Sequence, residues 1–187
     1  AADGAVFLGT GNDGKVIRVD RDRKATVFFD SAEMEVHALA PAPNGALYVA
    51  TSPDGRIYKV TAGGESSTFF DPDDKYIWSL AVDATGNVFA GTGDKGAVYK
   101  IAPDGKDRVF YATKQEHILS LAIGPDQKLY AGTDKNGLVY EKTSPLTFLE
   151  LYDTAVGKAV GTATQPMTVA QAAFFALLLV FATSAST

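Results

Sequence analysis

The sequence predicts an all-β fold built from four copies of one unit. Similar phrases recur every 41 residues from Gly4 onwards, and a fixed period of this size indicates repeated supersecondary units. The four phrases are GAVFLGTG, GALYVATS, GNVFAGTG and QKLYAGTD. Two columns keep the same register, one of threonine and one of glycine: Thr10, Thr51, Thr92 and Thr133, and Gly14, Gly55, Gly96 and Gly137.

Each unit contains four short runs with strand character. The first run alternates around an aromatic residue such as Tyr48, and it is followed by a turn such as Asp54-Gly55 and a second alternating run. An Asp-Gly pair between two alternating runs predicts a β-hairpin. A third run carries paired aromatic residues, and a fourth is small and apolar, such as IWSLA from Ile77. Four short strands in about 41 residues, without helical periodicity, are the dimensions of one β-propeller blade. The sequence therefore predicts four four-stranded blades.

The combined repeat resembles a known group of proteins. Its order is I-x-S-L-A, then G-x-(L/V)-(Y/F)-x-(A/G)-T, then G-x-(I/V)-Y-K-(I/V). It is similar to the β-propeller repeats of the broad NHL, gluconolactonase-like and quinoprotein-like group, over residues 4 to about 153. This resemblance implies that the ISLA-type strand is innermost and lines a central channel. The resemblance identifies the architecture but says little about the biochemical activity.

Closure of the ring is predicted from the end of the repeats. The chain begins at the second strand of a blade, so an innermost strand for the first blade must come from elsewhere. The segment AVGTA at 159–163 has the right register, because Ala163 falls in the column of Ala122, although Thr162 stands where the other blades have leucine. We expect it to pair with the first blade as a closing strand and to complete a propeller domain over 1–164. The alternative is an open or assembling fragment of a larger propeller.

The C-terminal segment, 165–187, is predicted to be an apolar helix outside the propeller. No charged residue follows Lys158, and the stretch from Val169 to Ala182 reads VAQAAFFALLLVFA. Pro166 suits the first turn of a helix, and a helix from there to Thr187 would be about 33 Å long, enough to span a bilayer. We expect it to be a membrane anchor or to be buried against a partner. The proposed contact residues are Phe174, Phe175, Leu177, Leu178, Leu179 and Phe181.

Composition restricts the partners and the compartment. A net charge of -5 and a pI near 5.0 argue against a nucleic-acid partner. The absence of cysteine excludes disulfides, thiolate metal sites and cysteine nucleophiles. The opening AADG fits a mature product left by signal-peptide removal, although trimming or removal of the initiator Met would look the same. We expect a membrane-associated protein, exported to the periplasmic face.

A binding surface is predicted at one mouth of the channel. The repeat position just before the innermost strand carries a chemically different side chain in each of the four repeats. The innermost strand itself contributes His37 and Trp78. Residues that only serve the fold tend to repeat, so this divergence points to binding, while loop divergence without selection is the alternative. The column consists of Glu35, Tyr76, His117 and Lys158. Neither histidine belongs to a metal-binding or catalytic spacing motif, so we predict no catalytic residue, no metal and no cofactor.

The function predicted from these features is a non-catalytic interaction or scaffold module. We expect an accessory subunit of a membrane-associated complex, for example an electron-transfer or photosynthetic one, with a protein partner and with membrane contact through the C-terminal helix. The alternative is an enzyme that resembles propeller hydrolases of the lactonase type or quinoproteins. Such enzymes have more blades and acidic metal ligands, which the sequence does not visibly supply.

Overall fold

A computed structural model describes residue 1 and residues 3–125, 127–134, 138–142, 148–153 and 158–159, with side chains described up to residue 141. Every regular element in these residues is a β-strand, which confirms the predicted all-β class. The strands form four antiparallel sheets in chain order.

The first sheet contains three strands and the next two contain four each. The first comprises β1 (Val6–Gly9), β2 (Lys15–Val19) and β3 (Ala25–Asp30). The second comprises β4 (Glu35–Pro41), β5 (Leu47–Ser52), β6 (Ile57–Val60) and β7 (Ser66–Phe70). The third comprises β8 (Ile77–Val82), β9 (Val88–Thr92), β10 (Ala97–Ile101) and β11 (Asp107–Ala112).

The fourth sheet repeats this order and adds a short strand at its outer edge. It comprises β12 (Ile118–Ile123), β13 (Leu129–Thr133), β14 (Val139–Lys142), β15 (Phe148–Asp153) and β16 (Lys158–Ala159). In sheets two to four the first strand is innermost, and β4, β8 and β12 pack against one another in turn. This arrangement of sheets side by side around their first strands is that of propeller blades.

The core lies between successive sheets. One apolar cluster joins sheets one and two, a second joins sheets two and three, and a third joins sheets three and four. Ile57, Ile77 and Ile101 of the second cluster are completely buried. Each such side chain contributes roughly 1.5 to 3 kcal/mol to stability relative to an exposed position, so sheet-to-sheet contact stabilises the whole arrangement.

The threonine and glycine columns stabilise the turn between the second and third strands of each blade. The hydroxyl of Thr92 accepts from the Ala97 N–H and donates to the Ala97 carbonyl, which closes the turn across five residues. Thr51 and Thr133 donate to the equivalent carbonyls of Arg56 and Leu138. Gly14, Gly55 and Gly96 of these turns have positive φ, at 58°, 71° and 52°, a conformation that glycine adopts readily.

The predicted closing strand is placed differently where the structure describes it. Ala159 pairs with Tyr152 on β15, at the outer edge of the fourth sheet, and so does not pair with β1. Among the described residues no strand lies on the free side of β1. The remainder of the closing segment and the predicted helix at 165–187 lie outside the described residues, so the domain boundary at 164 stays a prediction. No helix long and apolar enough to cross a membrane occurs in the part of the chain that is described.

Candidate functional site

A β-bulge at the start of each innermost strand shapes the channel mouth. In β4, Val36 pairs with Thr51 and Ala38 pairs with Ala50, so His37 is the extra residue. The same shift in β8, between Ile77 and Ser79, makes Trp78 the extra residue. A bulge bends the strand and redirects the side chain of the extra residue. The repeat therefore directs His37 and Trp78 in the same way from neighbouring sheets.

His37 takes part in a compact polar network. Its Nε2 lies 2.7 Å from Ser52 Oγ and 3.2 Å from Glu35 Oε2, and the Ser52 hydroxyl donates to the same Glu35 oxygen over 3.2 Å. An ionised carboxylate only accepts, so the hydroxyl proton points to Glu35 and Nε2 carries the proton donated to Ser52. Burial lowers the pKa of His37, and the charge of Glu35 offsets part of this effect. His37 is therefore kept neutral near physiological pH.

The Ser52 hydroxyl and the Glu35 carboxylate both contact the same ring nitrogen of His37, Nε2. In a serine hydrolase triad the carboxylate binds one ring nitrogen and the serine the other, so that the ring passes a proton between them. Here Ser52 and Glu35 both contact Nε2. The network thus fixes the ring but does not activate Ser52 as a nucleophile.

Aromatic rings join the three sheets at the mouth. Trp78 lies between His37 and His117, with ring centroids 4.7 Å and 6.0 Å away. Tyr76 stacks on Trp78 at 5.5 Å with an interplanar angle of 14°. Gly93 allows this packing, because a Cβ there would lie 2.6 Å from Trp78 Nε1. The result is an aromatic surface made by Tyr76 and Trp78, with His37 tilted against Trp78 and His117 edge-on to it.

His117 is held by a backbone N–H of the third sheet and a carboxylate of the fourth. The N–H of Asp94 donates to its Nδ1 over 3.3 Å, and its own N–H donates to Asp134 Oδ1 over 3.2 Å. Its Nε2 lies 3.9 Å from Asp134 Oδ2, which is beyond hydrogen-bond distance. The side chain is 30% exposed. One ring nitrogen of His117 thus contacts its supporting loop, and the other lies beyond hydrogen-bond distance of the Asp134 carboxylate.

One cluster of potential metal ligands lies at the mouth, made by Glu116, His117 and Asp134. Each offers a ligand atom, and these atoms lie within 4.8 Å of one another. A metal-binding histidine normally donates its second N–H to an acceptor, which leaves the other nitrogen free for the metal. Nδ1 of His117 instead accepts from the Asp94 N–H, so the proton of the neutral ring sits on Nε2, the nitrogen that faces Asp134. These residues do not fit a metal site in this arrangement.

The structure brings five of the six predicted mouth residues together and separates the sixth. Glu35, His37, Tyr76, Trp78 and His117 converge from sheets two, three and four. Lys158 does not join them. It lies on β16, the outer edge strand of the fourth sheet, where its backbone pairs with Asp153 of β15. The predicted contact residues of the C-terminal helix, from Phe174 to Phe181, lie outside the described residues.

Three site residues were not predicted from the sequence. They directly follow the threonine column and are Ser52, Gly93 and Asp134. Each contacts a residue at or just before the start of an innermost strand. Like the column of Glu35, Tyr76 and His117, they differ in chemistry while the neighbouring threonine does not vary. That divergence was the available signal.

Several solved structures share the fold. A streptogramin B lyase superposes with a TM-score of 0.74 at 16% sequence identity, covering 84% of this chain and 54% of the lyase. Virginiamycin B lyase from Staphylococcus aureus gives a TM-score of 0.73 at 16% identity, covering 85% of this chain and 55% of the lyase. A chain of the nidogen–laminin complex gives 0.69 at 15% identity, covering 80% and 60% of the two chains. The protein spans about half the length of the lyases it resembles.

Comparison with curated proteins found no significant match. The model of the SMP-30/gluconolactonase/LRE-like region does match, over residues 2–134, a range that holds the mouth from Glu35 to Asp134. This match contradicts the prediction of a non-enzyme, because the family is named for a lactonase and lyases share the fold. Because most of the sequence is matched, the chain belongs to the SMP-30/gluconolactonase/LRE-like family.

Proposed function

We propose that the protein is a lactonase-like or lyase-like enzyme that cleaves a C–O bond of a lactone or related ester at the channel mouth. One observation carries the proposal. The chain has two histidines, and they lie on either side of Trp78, each with a carboxylate within 4.0 Å. Imidazole is the side chain best suited to moving protons near neutral pH.

His37 has the properties of the proton acceptor. Its lowered pKa keeps the ring neutral, and Ser52 and Glu35 hold its orientation. In hydrolysis, the imidazole takes a proton from water, the water oxygen bonds to the acyl carbon, and the C–O bond of the ester breaks. The same proton then passes from the imidazole to the leaving oxygen, which yields a hydroxy acid and restores the neutral ring.

Elimination would use the same residues, but the imidazole would take a proton from carbon instead of from water. The imidazole would then take a proton from a carbon next to the one that bears the ester oxygen, and a C=C bond would form as the C–O bond breaks. The carboxylate that leaves would take the proton back from the imidazolium, or release of that proton to water would restore the neutral ring. Both reactions need a base and a polar group near the ester oxygen, and neither needs an oxidant.

The aromatic surface gives this site a place for the substrate. Trp78 and Tyr76 form a stacked pair between the two histidines, and a flat or puckered ring can pack on such a surface. The name of the family points to a sugar lactone, and two structural relatives are lyases of streptogramin B and virginiamycin B. A histidine-to-alanine variant of virginiamycin B lyase that is catalytically inactive has been solved with quinupristin.

The test uses the full chain with gluconolactone and with quinupristin, followed by mass spectrometry of the products. Hydrolysis adds the mass of one water, whereas elimination that opens a ring leaves the mass unchanged. His37→Gln and His117→Ala are each expected to lower kcat about a hundredfold or more, since a general base and a polar group that stabilises the ester oxygen each contribute on that order. Ser67→Ala, on the exposed outer strand β7, is the control. Turnover unaffected by either histidine change, or no turnover of any lactone or ester, contradicts the proposal.

A further inference from the structure

We infer that Asp94 is a positioning residue whose backbone N–H locks His117 in one tautomer, so that His117 acts as a neutral N–H donor to the substrate oxygen. This inference rests on the proposed function of the mouth and assigns different roles to its two histidines. His37 moves the proton, and His117 stabilises the charge that develops on oxygen.

The first support is the backbone of the loop that follows β9. Asp94 has a φ of 63°, and the Lys95 N–H donates to the Gly93 carbonyl over 2.7 Å, which forms a γ-turn centred on Asp94. A γ-turn with positive φ at its central residue is the rare and strained kind. Strain of this kind persists where the surrounding structure requires it, and it concentrates at functional sites.

The strained turn places a donor against His117. The Asp94 N–H lies 3.3 Å from His117 Nδ1. A backbone N–H can only donate, so Nδ1 must carry a lone pair and the proton of the neutral ring must lie on Nε2. The loop therefore selects one tautomer of the neutral ring.

The Nε2–H of His117 remains available to a substrate. The Asp134 carboxylate lies 3.9 Å from Nε2, which is too far for a hydrogen bond. The backbone holds this carboxylate in place, because its Oδ1 accepts the N–H of His117. A fixed N–H donor stabilises a developing oxyanion more in a partly buried site than water does, because the donor does not have to reorient during the reaction. The charged or titratable groups around the ring are Glu116 and Asp134 from its own sheet and Asp94 and Tyr76 from the third sheet.

The two histidines are thereby distinguished by what contacts each ring. The network of Ser52 and Glu35 engages Nε2 of His37, which leaves the lone pair of that ring on Nδ1. In His117 the lone pair is occupied by the Asp94 N–H and the proton is free. In this arrangement His37 can accept a proton and His117 can donate only a hydrogen bond.

Ring-nitrogen NMR of the full chain tests the tautomer directly, because only two histidines contribute signals. At about pH 7.5 we expect His117 to be protonated on Nε2 and unprotonated on Nδ1. Protonation on Nδ1 would overturn the inference. This measurement does not depend on turnover, so it separates a wrong tautomer from a wrong proposed function.

A pair of substitutions tests the role of the loop. Asp94→Gly and Asp94→Val both remove the exposed carboxylate, but only glycine adopts a positive φ without strain. We expect Asp94→Gly to keep the His117 tautomer of the unsubstituted protein. Asp94→Val should give a mixture of tautomers and a kcat at least tenfold lower with little change in KM, since loss of one oxyanion donor costs about that much or more. Equal losses in both variants would assign the effect to the carboxylate and overturn the inference.

Substitution of the histidines themselves distinguishes a hydrogen-bond donor from a proton carrier. The amide of glutamine can donate an N–H but cannot accept and release a proton at neutral pH. His117→Gln should therefore retain more activity than His117→Ala, while His37→Gln should be no better than His37→Ala. The division of roles is wrong if His117→Gln is no more active than His117→Ala. It is also wrong if His37→Gln is more active than His37→Ala.

Discussion

His37 shows how one residue can serve both the fold and the site. It is the extra residue of a bulge, its side chain is 18% exposed, and its ring contacts Ser52, Glu35 and Trp78. The bulge frees the residue from strand pairing, and the polar network then determines its orientation. Burial makes its charged form unfavourable, which is useful in a proton acceptor and costs stability in acid.

The lowered pKa of His37 predicts how stability depends on pH. The folded state binds its proton at a lower pH than the unfolded state, whose histidine has a pKa near 6.5. Below about pH 6.5 the unfolded state therefore binds more protons, and the free energy of unfolding falls as the pH falls.

Urea unfolding at about pH 7.5 and about pH 5.5 measures this effect. The decrease on acidification should be smaller in His37→Gln than in the unsubstituted protein, while Ser67→Ala should behave like the unsubstituted protein. An equal decrease in all three would show that protonation of His37 is not linked to folding.

The turn between the second and third strands is the element that the repeat preserves most strictly. Its threonine closes the turn, and its glycine approaches the backbone of the segment that leads into the next blade. A Cβ on Gly96 would overlap the carbonyl oxygen of Gln115, and one on Gly55 would overlap that of Asp74. Each turn glycine thus has two requirements, a positive φ and space next to the neighbouring blade.

Two alanine substitutions separate these requirements. Gly96 and Gly105 both have positive φ, at 52° and 85°, but a Cβ on Gly105 meets nothing within 4 Å. We expect Gly105→Ala to cost roughly 1 kcal/mol from backbone conformation alone. Gly96→Ala should cost clearly more, and Gly96→Val at least 1 to 3 kcal/mol. Thermal or urea unfolding gives the values, and equal costs for the two alanine variants would show that the close approach to Gln115 is unimportant.

At the scale of the whole molecule, four sheets pack side by side through three apolar clusters and match about half of each lyase. The mouth is built from the second, third and fourth of these sheets, so the site depends on sheet packing and not on any single blade. The predicted anchor at 165–187 is a separate feature, and its role stays a prediction from the uncharged sequence after Lys158.

Deletion of 166–187 tests that prediction. If the segment only localises the protein, the shortened chain should fold with an unchanged melting temperature, because the described core ends before the cut. Replacing Leu178 and Leu179 with Lys should release the full chain from membranes, since a central charge costs roughly 2.5 to 3.5 kcal/mol on insertion scales. Fractionation and circular dichroism measure the two outcomes. Unfolding of the shortened chain together with retention of the Lys variant on membranes would assign the segment to the core.

The sequence by itself determined the repeat, the strands of each unit, the hairpin turns at the glycine column and the column shared by Glu35, Tyr76 and His117. These features are local or periodic, so the spacing of Thr51, Gly55 and their equivalents was enough to predict them. Family membership then corrected the functional prediction, because a propeller repeat specifies architecture and not chemistry.

Only the tertiary structure decided which residues meet at the site. The bulges that direct His37 and Trp78 depend on strand pairing, and the contact between the Asp94 N–H and His117 joins two sheets across 23 positions of sequence. Lys158 occupied the correct column but lies on an outer edge, because the backbone there pairs with β15. Sequence periodicity fixes a residue's place within its blade, whereas the distance between residues of different blades is set by packing across the sheets.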